Sequence, residues 1–304
     1  MRRFASLLSL TLASVAGAQQ DTGHAAHAAG KPAAARPAIA SVSHPARYSG
    51  KVITVKALDY AFEAPDTVVA GYTTIRLLSQ GKELHHVTMA RLDGGHTLKD
   101  LFDAMKDPAA KPPAWFVEVG GPNASVPGGE SAAALDLKPG RYVLLCFIPS
   151  PDGTPHIMKG MAKEMIAVAP KAKAAKVAVK VPTTTVRLTD YAFTFSKPLV
   201  AGAQTVRLVN DAEQSHEMFV AKLLPGKTAM ELAQWAEKAE GPPPGIPIGG
   251  ITSMDKGEYN DITLNLEPGE YALICFVPDV KDGKPHLVYG MIKQVTVAPR
   301  VAAK

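Results

Sequence analysis

Short runs of β-branched and alternating apolar residues recur along most of this chain, and Gly/Pro turns separate them. VITVKALDYAF, TTIRLLS, HHVTMARL, AALDL, RYVLLCF and MIAVA fall between residues 52 and 169, with KPG and PDG among the turns. Alternation at period two is the mark of a strand with one buried face. About seven strands are therefore predicted in roughly 120 residues, which is a β-sandwich or barrel count. One segment changes period. TLKDLFDAM sets Leu98, Leu101, Phe102 and Met105 at helical spacing behind Thr97, with Asp100 three residues on. That spacing is a capping box, and it predicts a short inserted helix acting as a flap over an open side of the barrel.

The pattern then repeats. Asp59-Tyr60-Ala61-Phe62 falls on Asp190-Tyr191-Ala192-Phe193 at an offset of 131, and Ala70-Gly71 falls on Ala201-Gly202. PGRYVLLCFIP matches PGEYALICFVP at an offset of 129, and DGTPHIMKGM matches DGKPHLVYGM at 130. TAMELAQWAEKA repeats the helix, with Thr228 and Glu231 in the capping positions. A long period seen twice predicts two tandem domains, at 49–170 and 181–300, rather than a solenoid of short repeats. Residues 19–48, rich in Ala, Pro and Gly, are expected to be a disordered linker, and residues 171–180, KAKAAKVAVK, join the copies.

A length of 304 residues suits two such domains. The first residues, MRRFASLLSLTLASVAGAQQ, place two arginines before an apolar stretch and the triplet Ala16, Gly17, Ala18. That order is a secretory signal, residues 1–18, and predicts export to the periplasm or the extracellular space. A membrane anchor would need about 20 apolar residues, so stable membrane insertion is not expected. The net charge of +5 includes Arg2 and Arg3, and no dense basic run is present, so nucleic acid is not an expected partner. Oligomeric state is left open.

Export makes cysteine usage informative, because exported domains stabilised by cysteine carry it in several pairs. This chain has two, Cys146 and Cys275, at equivalent positions of the two copies. A bridge between them would require two matching sites to face one another, so each is read as an unpaired thiol. The second copy holds two histidines, His216 and His286, which align with His85 and His156, and Met291 aligns with Met161. His86 becomes Glu217, His96 becomes Lys227 and Met158 becomes Val288. The repeat thus selects two histidines, one cysteine and one methionine from a larger set. Singly, each such residue is an ordinary core residue. Four together, twice over, favour a metal site. Two imidazoles and a thiolate with a weak thioether are the ligands of a blue-copper centre, whereas zinc prefers a fourth strong ligand. His24, His27 and His44 in the Ala-rich linker are expected to be solvated.

The order His, PGxYxxxCF, His, then Gly-Met before a last strand resembles the cupredoxin family, plastocyanin and azurin among them. The resemblance implies an all-β chain of two tandem cupredoxin-like Greek-key β-barrels or sandwiches, each holding type 1 copper. It implies the ligand sets His85, Cys146, His156, Met161 and His216, Cys275, His286, Met291. Asn210 resembles an asparagine ahead of the first ligand in that family, where the first copy has Ser79. The Cys-to-His loop is longer than in plastocyanin and azurin, with nine residues between Cys146 and His156. Closing nine residues instead of four costs only about 0.7 kcal/mol.

The expected function is one-electron transfer with copper ion and a redox protein as partners. Copper storage or delivery as Cu(I), and a metal-free envelope binding module, are the alternatives. Two cupredoxin domains also build nitrite reductases and small laccases. Those need further histidines, whereas here Phe147 and Phe276 follow the cysteines and no His-x-His occurs, so no enzyme is expected.

Overall fold

The computed structural model describes residues 48–107, 111–171, 179–238 and 241–299. The leader expected at 1–18, the linker at 19–48 apart from Tyr48, its three histidines, and residues 172–178 of the second linker lie outside them. The first copy forms strands β1 (Lys51–Leu58), β2 (Ala61–Glu63), β3 (Thr67–Val69), β4 (Gly71–Ser79), β5 (Thr88–Leu92), β6 (Phe116–Gly120), β7 (Glu130–Leu137), β8 (Gly140–Leu145) and β9 (Ala162–Val168). The second forms β10 (Thr184–Thr189), β11 (Ala192–Phe195), β12 (Gly202–Asn210), β13 (His216–Leu223), β14 (Gly245–Met254), β15 (Tyr259–Leu266), β16 (Gly269–Ile274) and β17 (Ile292–Val297). Helices α1 (Leu98–Ala104) and α2 (Ala229–Lys238) interrupt the two copies. Among the described residues the fold is all-β apart from these helices and short 3₁₀ turns.

Three sequence expectations change in detail. The described residues of the first copy hold nine strands where the pattern predicts about seven. VITVKALDYAF is not one strand, because Asp59 and Tyr60 form a two-residue turn and Leu58 pairs with Ala61 across it. The helix is not a flap over an open side. Period-two alternation gives β8 two working faces: Tyr142 and Leu144 enter the main core, and Val143 and Leu145 point the other way. Leu101 of α1 covers that second face together with Ala90 and Leu92 of β5. In the second copy Leu232 and Ala233 of α2 cover Ala272 and Ile274 in the same way. Both capping boxes form, through Thr97 with Asp100 and Thr228 with Glu231.

The strands join into two sheets that run through both copies. Their orders are β11-β10-β12-β15-β7-β4-β1-β2 and β17-β16-β13-β14-β6-β5-β8-β9-β3. Two large buried clusters draw on strands of both sheets, one holding Cys146 and the other Cys275, the latter also taking in Ala133 of β7 from the first copy. Tyr142 and Tyr271 each turn a hydroxyl back onto the backbone four residues earlier, at Lys138 and Glu267, and so hold the Pro-Gly turn before β8 and β16.

The junction between copies has an internal two-fold character. Pro122 bridges Ile251, while the Thr252 amide donates to the Gly121 carbonyl at 2.9 Å and the Asn123 amide to the Gly250 carbonyl at 3.2 Å. Pairing edge to edge satisfies strand groups that would otherwise be open. Fully buried Asn260 spans the seam, accepting from the Gly121 amide at 3.0 Å and donating to the Val119 carbonyl at 2.8 Å. Tyr72 donates to Asp261 at 2.7 Å, and Arg207 holds the same carboxylate through two 2.7 Å bonds.

Candidate metal centre

Local backbone pairing brings the predicted ligands together. His85 precedes β5 and bridges Ser125, Cys146 follows β8, and His156 opens a 3₁₀ turn, His156–Lys159, that ends on Gly160 at φ 98°. The long loop is pinched off by a bridge between Pro149 and Pro155, and within it the Ser150 amide donates to the Thr154 carbonyl at 2.9 Å. The residues beyond the pinch therefore add a small turn without separating the ligands. The Ile157 amide donates to the Cys146 carbonyl at 2.8 Å, and the Met161 amide to the His156 carbonyl at 2.9 Å. The second loop holds ten residues between Cys275 and His286, one more than the first. A bridge between Pro278 and Pro285 pinches it, and the Leu287 amide donates to the Cys275 carbonyl at 3.0 Å.

His85, Cys146 and His156 form one cluster and His216, Cys275 and His286 another, with the ligand atoms of each cluster within 4.8 Å of one another. His85 Nδ1 lies 3.2 Å from His156 Nδ1, and Cys146 Sγ lies 3.4 Å from His156 Nδ1. In the second cluster Cys275 Sγ lies 3.5 Å from His286 Nδ1 and 3.9 Å from His216 Nδ1. All six residues are fully buried, and both cysteines are free thiols. Met161 and Met291 are fully buried too, in the same core clusters as Cys146 and Cys275. The Cys146 amide donates to the Met161 carbonyl at 3.3 Å, and the Cys275 amide to the Met291 carbonyl at 3.0 Å.

The outer nitrogens of three of the four imidazoles face oxygen acceptors. His156 Nε2 lies 2.7 Å from Glu83 Oε2, His286 Nε2 lies 3.3 Å from Gln214 Oε1, and His216 Nε2 lies 3.3 Å from Asp190 Oδ1. A carboxylate only accepts, so Nε2 is the His156 nitrogen that donates to Glu83, which leaves Nδ1 facing the thiol. Glu83 stays a carboxylate: burial raises its pKa, but hydrogen bonds from His156, Tyr60 and Ser150 outweigh this and hold it below the ordinary value. His85 Nε2 has no hydrogen-bond partner, Asp59 Oδ1 being 3.9 Å away.

Two imidazole nitrogens beside a thiol are a donor set that suits a soft metal. Burial pushes the Cys146 thiol up to about 12, and burial, with Glu217 adding to it, pushes the Cys275 thiol up too. Neither thiol ionises unaided near neutrality, whereas a bound metal displaces the proton outright. Two imidazoles and one thiolate in a closed, dry site fit copper, and the two clusters point to it.

The residues that the repeat discards have other roles. Met158 is exposed, and His96 stacks on Trp115 with ring centroids 4.2 Å apart. His86 Nε2 accepts the Phe147 amide at 2.9 Å, directly behind Cys146, and Glu217 Oε1 accepts the Phe276 amide at 2.9 Å behind Cys275. Different residues thus support each cysteine backbone in the same way. Asn210 is fully buried and donates to the Gln214 and Met254 carbonyls at 2.7 and 2.8 Å, fixing the approach to His216. Ser79, its counterpart, leaves its hydroxyl unpartnered.

Burial, with repulsion from neighbouring histidines, holds three histidines neutral: His85 and His286 fall to about 4 and His86 to about 3, from 6.5. Their folded values lie below the unfolded one, so they contribute stability above pH 6.5 that is lost as the pH falls toward 4. Glu217 works in the opposite sense, since burial raises it from 4.5 to about 7. Three groups outweigh one. The metal-free chain is expected to lose stability on acidification from pH 6.5 to 4.5, on the order of 2 kcal/mol per histidine before the Glu217 offset. Denaturant melts at stepped pH check this; a flat or rising profile would contradict it.

Sequence reasoning missed the outer partners Asp59, Tyr60, Glu83, Asp190, Tyr191, Gln214 and Asp279. Only the repeated Asp-Tyr pair carried a signal that could have found any of them.

No protein-family model matches this sequence, and no curated protein matches it. Among solved structures, reduced auracyanin from the photosynthetic bacterium Roseiflexus castenholzii is 23% identical with a TM-score of 0.27, over 38% of this chain and 95% of that one. The blue copper oxidase from Nitrosomonas europaea is 13% identical with a TM-score of 0.24, over 82% of this chain and 86% of that one. The copper-containing nitrite reductase from Thermus scotoductus SA-01 is 15% identical with a TM-score of 0.23, over 83% of this chain and 68% of that one. All three superpose weakly, and the chemistry of the two centres follows from their own donors.

Proposed function

We propose that this chain is an exported copper protein that carries single electrons through two type 1-like centres, one in each of two tandem cupredoxin-like units, residues 49–170 and 181–300. The observation that carries the reading is the convergence, twice, of two inward imidazole nitrogens on one buried thiol. In this reading each unit is a Greek-key barrel or sandwich, and Met161 and Met291, buried in the same clusters as the cysteines, would add a weak thioether to each donor set. Held by the two histidines and the cysteine of each set, copper would supply one-electron exchange between Cu(II) and Cu(I). The chain's own part is to exclude water by full burial and to fix His156, His216 and His286 from outside, so that little rearrangement accompanies the change of charge. A redox protein is the partner, and the signal at residues 1–18 directs the chain to the periplasm or beyond. Phe147 and Phe276 after the cysteines, and the lack of His-x-His, support a carrier rather than an enzyme.

The test is a copper titration of the mature chain followed by absorption and metal analysis. Two coppers per chain with a strong thiolate-to-copper band are expected. Tight Cu(I) binding with no stable coloured form would assign the chain to storage or delivery. Absence of stoichiometric copper would leave a metal-free binding module.

A further inference from the structure

The Asp-Tyr turn is the repeated motif to which the copper reading gives no part. It occupies the two-residue loop between β1 and β2, and again between β10 and β11. Tyr60 at φ 65° and Tyr191 at φ 64° are the non-glycine residues with positive φ among the described residues. Left-handed backbone disfavours a tyrosine and suits glycine or asparagine. Two tyrosines held there point to a use for the ring.

The rings stand against the second histidine of each centre. Tyr60 meets His156 edge-on at 5.3 Å and 67°, and Tyr191 meets His286 at 5.5 Å and 72°. The hydroxyls complete a frame on the same imidazoles. Tyr60 donates to Glu83 Oε1 at 2.9 Å, while the other oxygen of Glu83 takes His156 Nε2 at 2.7 Å. Tyr191 donates to Asp279 Oδ2 at 2.5 Å, Gln214 Nε2 donates to that oxygen at 3.1 Å, and Gln214 Oε1 faces His286 Nε2 at 3.3 Å. One carboxylate does in the first centre what an amide and a carboxylate do in the second. The tyrosine is common to both. In the second centre the preceding aspartate reaches the other histidine, Asp190 at 3.3 Å from His216 Nε2; in the first, Asp59 stands 3.9 Å from His85 Nε2, beyond hydrogen-bond distance. Asp59 is itself pinned by the Lys82 amide at 2.7 Å.

We propose that the Asp-Tyr turn is the positioning element of each metal centre, a role that rests on the copper reading above: in both centres tyrosine orients the second histidine so that its Nδ1 faces the thiol, and in the second centre aspartate also orients the first. Outer partners of this kind orient metal ligands and tune the ion they hold.

The test uses the full mature chain, with the unaltered centre as internal standard. Tyr60→Gly suits the left-handed turn and removes the ring, while Tyr60→Phe keeps the ring and removes the hydroxyl. Copper affinity is read by chelator competition, each centre by electron paramagnetic resonance, and folding by the metal-free melting temperature. In Tyr60→Gly the first centre is expected to weaken by about 10–100-fold with altered hyperfine splitting. The second centre and the metal-free melt should hold, and Tyr60→Phe should restore most of the affinity. Tyr191→Gly should give the mirror result. Asp190→Asn should perturb its centre more than Asp59→Asn does, following the shorter contact. Unchanged affinity and spectrum at both centres in Tyr60→Gly would overturn the proposal, as would a lowered melt with both centres unchanged. Should the parent chain bind no copper, the copper reading falls, and imidazole ¹⁵N spectra of the metal-free protein decide the positioning role. An Nε2-protonated His156 in the parent that is lost in Tyr60→Gly supports it, and identical spectra overturn it.

Discussion

Replacing Cys146 with serine is expected to remove one of two bound coppers and about half of the thiolate-to-copper absorption, with the second centre left intact. Cys275→Ser should remove the other half, and the double variant should be colourless. The thiolate is the one soft, charged donor among the three clustered groups, and a serine hydroxyl at neutral pH supplies neither property. Losing an outer partner typically costs 10–100-fold in affinity, so losing this donor should cost at least about a hundredfold. Independence of the two losses follows from packing, since Cys146 and Cys275 belong to different buried clusters. Cys and Ser differ little in size, so the metal-free fold should persist with a small loss from burying a hydroxyl. Metal analysis beside the absorption spectrum reads the result. A variant that keeps two coppers and full colour would exclude the thiol as a ligand.

Gly250→Ala and Gly121→Ala should be the most destabilising single-atom changes at the junction. A Cβ on Gly250 would stand 1.9 Å from the Met218 carbonyl oxygen, and one on Gly121 would stand 2.3 Å from that of Val87. Both obstacles are backbone, so no rotamer change relieves them. Both glycines also hold positive φ, 110° and 131°, where an alanine is strained even in open space. Clash and strain together should cost on the order of 4 kcal/mol or more. Gly257→Ala is the control: φ is 82° with nothing within 4 Å, so only the left-handed penalty of about 1–2 kcal/mol applies. Denaturant midpoints compare the three. Equal midpoints for Gly250→Ala and Gly257→Ala would show that the strands can separate freely at that point. Since Met218 and Val87 each follow a cluster histidine by two residues, the damaged chains should also bind copper poorly.

The repeat made the inner centre legible without coordinates, because residues with one chemical duty recur at matching positions: His85 with His216, Cys146 with Cys275, His156 with His286. Comparison of the copies failed wherever one duty is met by different side chains. His86 and Glu217 both accept the amide after the cysteine, and Glu83 alone matches Gln214 with Asp279. Such pairs look like unrelated substitutions in a line of letters. The role of the helices was hidden for another reason, since alternation reports that β8 has two faces but not what covers the second.

By itself, then, the sequence determined that the chain is strand-rich, that two capped helices interrupt it and that two histidines and a cysteine recur at matching positions, because each depends on residues near one another or on likeness between copies. Tertiary structure decided the seam, where Tyr72 meets Asp261 across 189 positions, and the outer frame, where Tyr60 and Glu83 close on His156. Those contacts join segments that are far apart in the chain, and only the pairing of strands across the two sheets sets which segments become neighbours.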